Sequence, residues 1–329
     1  MQRFQLDVVV TRGDAVESEH QVSAAVVDSA DRLVGQSGDP DLVTFWRSGA
    51  KPFQVMPLLA TGGFDELPWE QDELALACAS HGGEPEHVAI AASMLHDIGR
   101  EEGDLVCGPH EPLAARGARI VRESGIRLSR LHNNCSGKHA AMLALAHTRG
   151  WPMNGYERAI HPVQRAAAES VAQWSGVPVD DLVTATDGCG VAVFGLPLSA
   201  MARAYARLAS GARRGDELAS RVSTAIRARP HLFGGTERFD TVLLEATEGR
   251  VMAKVGAEGV HCVALADEGV GIALKVHDGA ARAQYPAVLR LLQHLGALPD
   301  PLPPRLAEFA WRAVRDSRGE VVGHVGARA

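Results

Sequence analysis

The fold is decided by residues 241–277, which read TVLLEATEGRVMAKVGAEGVHCVALADEGVGIALKVH. Apolar runs of strand length alternate here with Glu-Gly and Asp-Glu-Gly turns, which is typical of strands joined by tight connections. Tight turns join antiparallel neighbours, whereas parallel strands need long crossovers. The pattern therefore predicts an antiparallel sheet with strands over 241–247, 250–256, 260–267 and 270–277.

The same alternation occurs at the start of the chain, in FQLDVVVT, HQVSAAVVD and RLVGQSG within residues 4–38. Between the two ends, Ala-rich segments with helical spacing predominate. Helices are predicted over 72–80, 86–98, 138–150, 161–176 and 196–212, and one more over 285–296.

These patterns predict an α/β (α+β) fold, in which one mostly antiparallel sheet from both chain ends is covered by a helical middle lobe. We expect a single two-lobed domain over 1–329, with the sheet from about 1–45 and 240–329 and the helical lobe from about 51–230. A dinucleotide-binding fold is not expected, because no Gly-x-Gly-x-x-Gly follows the first strand.

Composition restricts the class of protein. The 329 residues carry 33 Lys and Arg against 40 Asp and Glu, a net charge of −7 that disfavours nucleic acid and anionic membranes as partners. No apolar stretch approaches the length of a membrane span, and the amino terminus resembles a strand rather than a signal peptide. We expect a cytoplasmic protein that acts on a small molecule.

Five dispersed cysteines argue against a disulfide framework and leave core packing, metal binding or catalysis open. Cys135 and Cys189 each stand in a polar or Gly-flanked segment, HNNCSGKH (132–139) and TDGCG (186–190). The two sulfurs could bind zinc with a nitrogen from Lys138 or a nearby His. An ordinary capped helix start is the alternative for the first segment.

Three further segments carry candidate catalytic groups. Ser48 and Lys51 are one helical turn apart, so the amine can reach the hydroxyl and act as its base if burial lowers the lysine pKa. Ser80 lies in the turn CASHGGE (78–84), whose glycines can expose amide donors for an oxyanion. Lys254 is a possible second base at the end of a strand. The alternatives are a helix cap for each serine and a solvated amine for each lysine.

The chain order of Ser48-x-x-Lys51, Asn134-Cys135-Ser136 and Lys254-Val255-Gly256 is similar to that of the motifs of serine β-lactamases and penicillin-binding proteins. More specifically, six blocks resemble the asparaginase II family of the rhizobial, thermolabile type: SGAKPFQ, CASHGGE, HNNCSGKHAAML, TDGCGV, FGGTERFDT and KVGAEGVHCVAL. They occur in the expected order within residues 48–275.

The resemblance implies a fold similar to β-lactamases and glutaminases, and a homodimer that hydrolyses L-asparagine to L-aspartate and ammonia without an organic cofactor. It implies two serine–lysine pairs, Ser48 with Lys51 and Ser80 with Lys254. It also implies a zinc ion held by Cys135, Lys138 and Cys189, with a structural or substrate-orienting role.

A zwitterionic substrate needs groups for its carboxylate and its ammonium. The candidates are His81, Asn134, Asp187 and Glu258. Two other classes of function stay open: a zinc-dependent amidohydrolase without a serine nucleophile, and a non-catalytic protein that binds an amino acid or a β-lactam. The preference for asparagine over glutamine depends on pocket depth and is not encoded in these motifs.

Overall fold

The computed structural model describes residues 1–328. The chain forms two compact units. The first, here called the sheet unit, comprises Met1–Gly49, Leu196–Ser210 and the chain from Val242. The second, the helical unit, comprises Ala50–Gly195 and Gly211–Thr241. That the two form a single domain stays a prediction.

The strands in chain order are β1 Gln2–Arg3, β2 Val8–Arg12, β3 Ala15–His20, β4 Val22–Val27, β5 Leu33–Ser37, β6 Val43–Phe45, β7 Val183–Thr186, β8 Ala192–Pro197, β9 Val251–Val255, β10 Val260–Leu265, β11 Val270–Val276, β12 Trp311–Arg315 and β13 Val321–Ala327. The helices are α1 Lys51–Ala60, α2 Gln71–Ala77, α3 Pro85–Asp97, α4 Ala115–Ser124, α5 Ser136–Thr148, α6 Pro162–Ser175, α7 Leu198–Arg214, α8 Glu217–Ala228, α9 Pro230–Gly234, α10 Phe239–Ala246, α11 Ala281–His294 and α12 Pro304–Ala310.

The larger sheet of the sheet unit has the strand order β1-β5-β4-β11-β10-β9. Strands from the two chain ends meet where β4 pairs antiparallel with β11, with Ala25 opposite Ala273. Strands β9, β10 and β11 are consecutive antiparallel neighbours, whereas β1 pairs parallel with β5. The predicted mixed α/β fold, with an antiparallel sheet built from both chain ends, is confirmed.

The prediction of one sheet is wrong, because a second sheet has the order β12-β13-β2-β3. The strands predicted at the start of the chain are divided between the two sheets. Strand β3, AVESEH, is largely polar and exposed, whereas every residue of β4, VSAAVV, is buried. Between β3 and β4 the chain therefore passes from a partly exposed hairpin into the buried interior of the larger sheet. Helix α11 packs against strands of both sheets, including β11 and β13.

The strand predicted over 241–247 is also wrong, because this segment lies in helix α10 and the turn after it. Phe239, Val242 and Leu243 are all buried, and their i, i+3, i+4 spacing places them on one helical face. At the end of the helix, the Thr247 hydroxyl donates to the carbonyl of Leu243 at 2.7 Å. A short run of β-branched and apolar residues fits either secondary structure, and packing decides between them.

The helical unit is built around α5, whose residues from Ser136 to Ala146 are all buried. Helices α1, α2, α3 and α6 pack against it. Pro57 interrupts α1 and cannot donate to the Phe53 carbonyl. The Ser170 hydroxyl of α6 donates to that carbonyl instead, at 2.7 Å. The helices predicted over 72–80, 86–98, 138–150 and 161–176 are confirmed as α2, α3, α5 and α6.

Strands β7 and β8 form an antiparallel hairpin, with Val183 opposite Gly195. Its turn contains Asp187 and Cys189. Within residues 1–328, none of the helices is both long enough and apolar enough to cross a bilayer.

Candidate active site

The site in the helical unit is centred on Lys51, the first residue of α1, whose side chain is only 1% exposed. Its Nζ donates to the carbonyls of Ala79 and Asn134, at 2.6 and 3.2 Å, and lies 3.1 Å from the Ser80 hydroxyl oxygen. Burial lowers the pKa of Lys51, and the nearby charge of Lys138 lowers it further against the opposing effect of Cys135. A lysine with a lowered pKa next to a serine hydroxyl is suited to act as a base.

Ser80 lies in the turn between α2 and α3 and is 3% exposed. The resemblance pairs Lys51 with Ser48 and Ser80 with Lys254, and the helical unit shows Lys51 bonded to Ser80. Close packing at Gly82 fixes this turn: a Cβ atom there would lie 2.6 Å from the Ala114 Cβ and 3.2 Å from the Gly235 Cα. Only glycine fits where these residues come so close together.

His81 follows Ser80 and is fully buried. Its Nδ1 accepts from the Gly83 amide at 3.1 Å, so the proton is on Nε2, which donates to the Ser136 hydroxyl at 2.9 Å. That hydroxyl donates onward to the Leu131 carbonyl at 3.0 Å. A substrate contact from His81 would have to replace one of these bonds.

The loop before α5 brings Asn134 and Cys135 into the same region. The Asn134 carbonyl accepts from Lys51, and its side-chain oxygen lies 2.9 Å from the Cys135 sulfur. The backbone amide of Asn134 donates to His110 Nε2 at 2.9 Å. The Asn134 side chain is half-buried, so this predicted substrate contact lies within the cluster around Lys51.

The predicted metal ligands converge as a buried group. Lys138 Nζ lies 3.1 Å from Cys189 Sγ, and the Cys135 and Cys189 side chains are hydrogen-bonded to each other. Asp187, a predicted substrate contact, accepts from Cys189 at 3.1 Å.

The charges within this group differ between its members. The hydrogen bond from Cys135 lowers the pKa of Cys189 to about 6, and the same bond together with burial raises that of Cys135 to about 12. Burial opposes the charge of Lys138, but the adjacent sulfurs outweigh it and raise the lysine pKa. Of the two thiols, that of Cys189 therefore loses its proton more readily.

This donor set fits zinc, which prefers sulfur and nitrogen ligands. Cys135, Lys138 and Cys189 would each release a proton on binding, most readily Cys189, whose pKa is lowered. Within residues 1–328, no three side chains of His, Cys, Asp or Glu are arranged to hold a metal. The fit thus depends on the lysine nitrogen as a ligand.

Three predicted site residues belong to the sheet unit. Ser48 is half-buried in the 3-10 turn Arg47–Ala50, directly before α1. Lys254 is on β9, is 1% exposed, and donates to the Val255 carbonyl at 3.0 Å. Glu258 is exposed in the turn after β9 and has a positive φ of 58°. Their parts in the reaction stay predictions.

The sequence model of the L-asparaginase II family matches residues 8–327. The chain belongs to this family. The predicted family is thereby confirmed, and membership supports an amidohydrolase. None of the curated proteins compared with the chain matches it.

Solved structures similar to this asparaginase II family member include Mglu in its native form, which is 15% identical over 90% of this chain and 69% of that chain, with a TM-score of 0.48. A β-lactamase from Mycobacterium bovis is 14% identical over 84% and 96% of the two chains, with a TM-score of 0.43. A Bacillus glutaminase crystallised in 4.3 M NaCl is 13% identical over 84% and 91%, with a TM-score of 0.38.

Sequence reasoning missed two charged residues, one at the end of the turn that carries Ser80 and one that contacts it. Glu84 is 1% exposed and accepts from the Thr236 amide at 2.9 Å and from Arg116 at 3.0 Å. Arg238 donates to the carbonyls of Ser80 and Gly234. Arg238 and Thr236 belong to the family block FGGTERFDT, which was visible in the sequence but had no chemistry assigned to it.

Proposed function

We propose that this protein hydrolyses the side-chain amide of L-asparagine to L-aspartate and ammonia. The observation that carries the proposal is the buried Lys51 amine, whose pKa is lowered and which is bonded to the Ser80 hydroxyl. Membership in the L-asparaginase II family supports the choice of substrate.

The reaction proceeds by acyl transfer. Lys51 accepts the proton of Ser48, three residues before it in the chain, and the Ser48 oxygen attacks the amide carbon of the substrate. The carbon–nitrogen bond breaks, and ammonia leaves with the proton returned from Lys51. Water then adds to the ester, which releases L-aspartate and restores the Ser48 hydroxyl.

Ser80 is the second hydroxyl of the mechanism. Its bond to Lys51 lets it pass a proton to the leaving nitrogen, and the resemblance assigns Lys254 as its partner. Backbone amides of the Gly-rich turn 78–84 would receive the oxyanion. Asn134, Asp187 and Glu258 are the candidates for holding the polar ends of the substrate.

Cys135, Lys138 and Cys189 would hold zinc. A bound zinc ion would supply a fixed positive charge that orders this cluster and orients a carboxylate, rather than an activated water. The charge of the ion would act on Asp187, because the Asp187 carboxylate already accepts a hydrogen bond from Cys189.

The test measures ammonia release by the purified protein from L-asparagine, L-glutamine and a β-lactam, with Ser48→Ala and Ser80→Ala beside the wild type. We expect release from L-asparagine that is lost in Ser48→Ala, and an acyl-enzyme on Ser48 seen by rapid-quench mass spectrometry. Full activity in both serine variants, with loss in Cys189→Ser, would instead support a zinc hydrolase. Binding of an amino acid or a β-lactam without ammonia release would support a non-catalytic protein.

A homodimer and a cytoplasmic location are part of the same proposal. They are tested by light scattering on the purified protein and by cell fractionation. A monomer in solution would remove the homodimer from the proposal without affecting the chemistry.

A further inference from the structure

Arg238 stands out because its charge has no counter-ion. It is half-buried in the loop between α9 and α10, and in the part of the chain that the structure describes no carboxylate forms an ion pair with it. A guanidinium stays protonated at any physiological pH and is costly to shelter from water without an anion. The charge of Arg238 is therefore available to an external anion.

The Arg238 guanidinium is hydrogen-bonded through one of its three nitrogens. Nη1 donates both of its hydrogens, one to the Ser80 carbonyl and one to the Gly234 carbonyl, the latter at 2.8 Å. Over residues 1–328, Nε and Nη2 have no hydrogen-bond partner. These two nitrogens form the edge with which arginine binds a carboxylate through two parallel hydrogen bonds.

The other cations around Ser80 are already engaged. The Lys51 nitrogen already contacts Ala79, Ser80 and Asn134, and the proposed reaction needs it as a base. Lys138 is bonded to Cys189 and belongs to the donor set for zinc. Among these three cations beside Ser80, Arg238 is therefore the one that has two neighbouring N–H groups available to bind a carboxylate.

The position of Arg238 suits an asparagine molecule. Arg238 binds the carbonyl of Ser80, the residue whose hydroxyl contacts Lys51. In L-asparagine, three carbon–carbon bonds of about 1.5 Å separate the side-chain amide carbon from the α-carboxylate carbon. A substrate whose amide reacts near Ser80 can place its carboxylate at Arg238.

We infer that Arg238 is the residue that binds the α-carboxylate of the substrate and so makes the enzyme specific for free amino acids. This inference rests on the proposed function and adds to it the residue that recognises one end of the substrate. The bonds to Ser80 and Gly234 hold the guanidinium in place before the substrate arrives, so little of its freedom is lost on binding.

The experiment compares Arg238→Met with the wild type on two substrates: L-asparagine and the analogue whose α-carboxylate is an amide, with the product of side-chain hydrolysis identified by mass spectrometry. We expect kcat/KM for L-asparagine to fall about 10- to 150-fold, as for a lost hydrogen bond to a charged group, and kcat/KM for the analogue to change little. Binding of L-aspartate, measured by calorimetry, should weaken by the same factor. Arg221→Met is the matched control, since Arg221 pairs with Asp65 at another place in the helical unit, and it should alter neither substrate.

Equal losses on both substrates would show that Arg238 only supports the Ser80 turn and would overturn the inference while leaving the proposed function intact. Absence of ammonia release by the wild type would reject the proposed function and the inference together. If Arg238→Met does not fold, wild-type protein is treated with an arginine-specific dicarbonyl, and modified residues are mapped. Arg238 should be modified in the free protein and protected by L-aspartate. Modification unaffected by L-aspartate, or no modification at all, would overturn the inference.

Discussion

Replacing Lys51 by methionine tests the centre of the proposed site, because it removes the amine and retains most of the side-chain volume. General-base catalysis contributes about 10²- to 10⁴-fold to an enzymatic rate, so kcat/KM for L-asparagine should fall by about that factor in Lys51→Met. The assay is continuous ammonia release from L-asparagine at neutral pH.

The same variant has a calculable effect on stability. The carbonyls of Ala79 and Asn134 lose a donor, at about 1 to 3 kcal/mol for each unpaired buried group. Methionine removes the cost of burying an amine, which offsets part of this loss. We expect the free energy of unfolding to fall by about 2 kcal/mol, measured by urea denaturation.

The control is Ser170→Ala, which removes the hydroxyl that replaces the missing Pro57 donor at the Phe53 carbonyl. It should cost a similar amount, about 1 to 3 kcal/mol, with activity retained. Ser80→Ala removes one acceptor of Lys51 and should lose activity with a stability change below about 1 kcal/mol. If Lys51→Met keeps more than a tenth of the wild-type kcat/KM while Ser170→Ala behaves as expected, Lys51 is not the base.

Three further predictions concern charge, metal and packing. Arg116 lowers the pKa of Glu86 to about 2 from a usual 4.5 and contributes to lowering that of Glu84. Because the Arg116 and Glu86 side chains are 38% and 48% exposed, solvent screens their attraction, and Arg116→Met should lose about 1 kcal/mol at pH 7. That difference should be constant above pH 4.5 and shrink as the pH falls towards 2, because depressed carboxyl pKa values stabilise only the ionised form; acid and urea titrations of both proteins check it. Cys189→Ser should reduce the zinc content of the purified protein to background by elemental analysis, whereas Cys262→Ser, in the sheet unit, should not; equal zinc in both variants would contradict the ligand set. Gly82→Ala should cost about 1 to 3 kcal/mol by overpacking against Ala114, whereas Gly108→Ala, where a Cβ would meet nothing within 4 Å, should leave the denaturation midpoint unchanged.

The sheet could be predicted where strand periodicity and turns agreed. Strands β9, β10 and β11 lie within the segments predicted from 250–277, because each alternating run ends at a turn containing glycine. The segment 241–247 lacked a distinguishing period, and its helical conformation comes from burial of Phe239, Val242 and Leu243. The sequence also does not predict which sheet each strand joins, since β3 and β4 are consecutive in the chain but belong to different sheets.

In the site, the sequence provided the residues but only some of the contacts. Ser48-x-x-Lys51 is visible as a local spacing. The bond between Lys51 and Ser80 joins residues 29 positions apart and depends on how α1 and α2 pack against α5. Arg238 lies 158 positions from Ser80, and a lone arginine in a quoted block carries no sign that its partners are backbone carbonyls.

The turn that carries Ser80 shows why such distant contacts matter for catalysis. Three of its carbonyl oxygens accept hydrogen bonds from three different parts of the helical unit: that of Ala79 from Lys51, that of Ser80 from Arg238, and that of Gly82 from the Ala114 amide. A turn without regular structure has no ladder of its own to hold it, so these donors fix its backbone. Two of the three donors are side chains that the proposed reaction also needs, one as the base and one as the carboxylate ligand. The groups that act on the substrate and the groups that hold the serine in place are therefore the same.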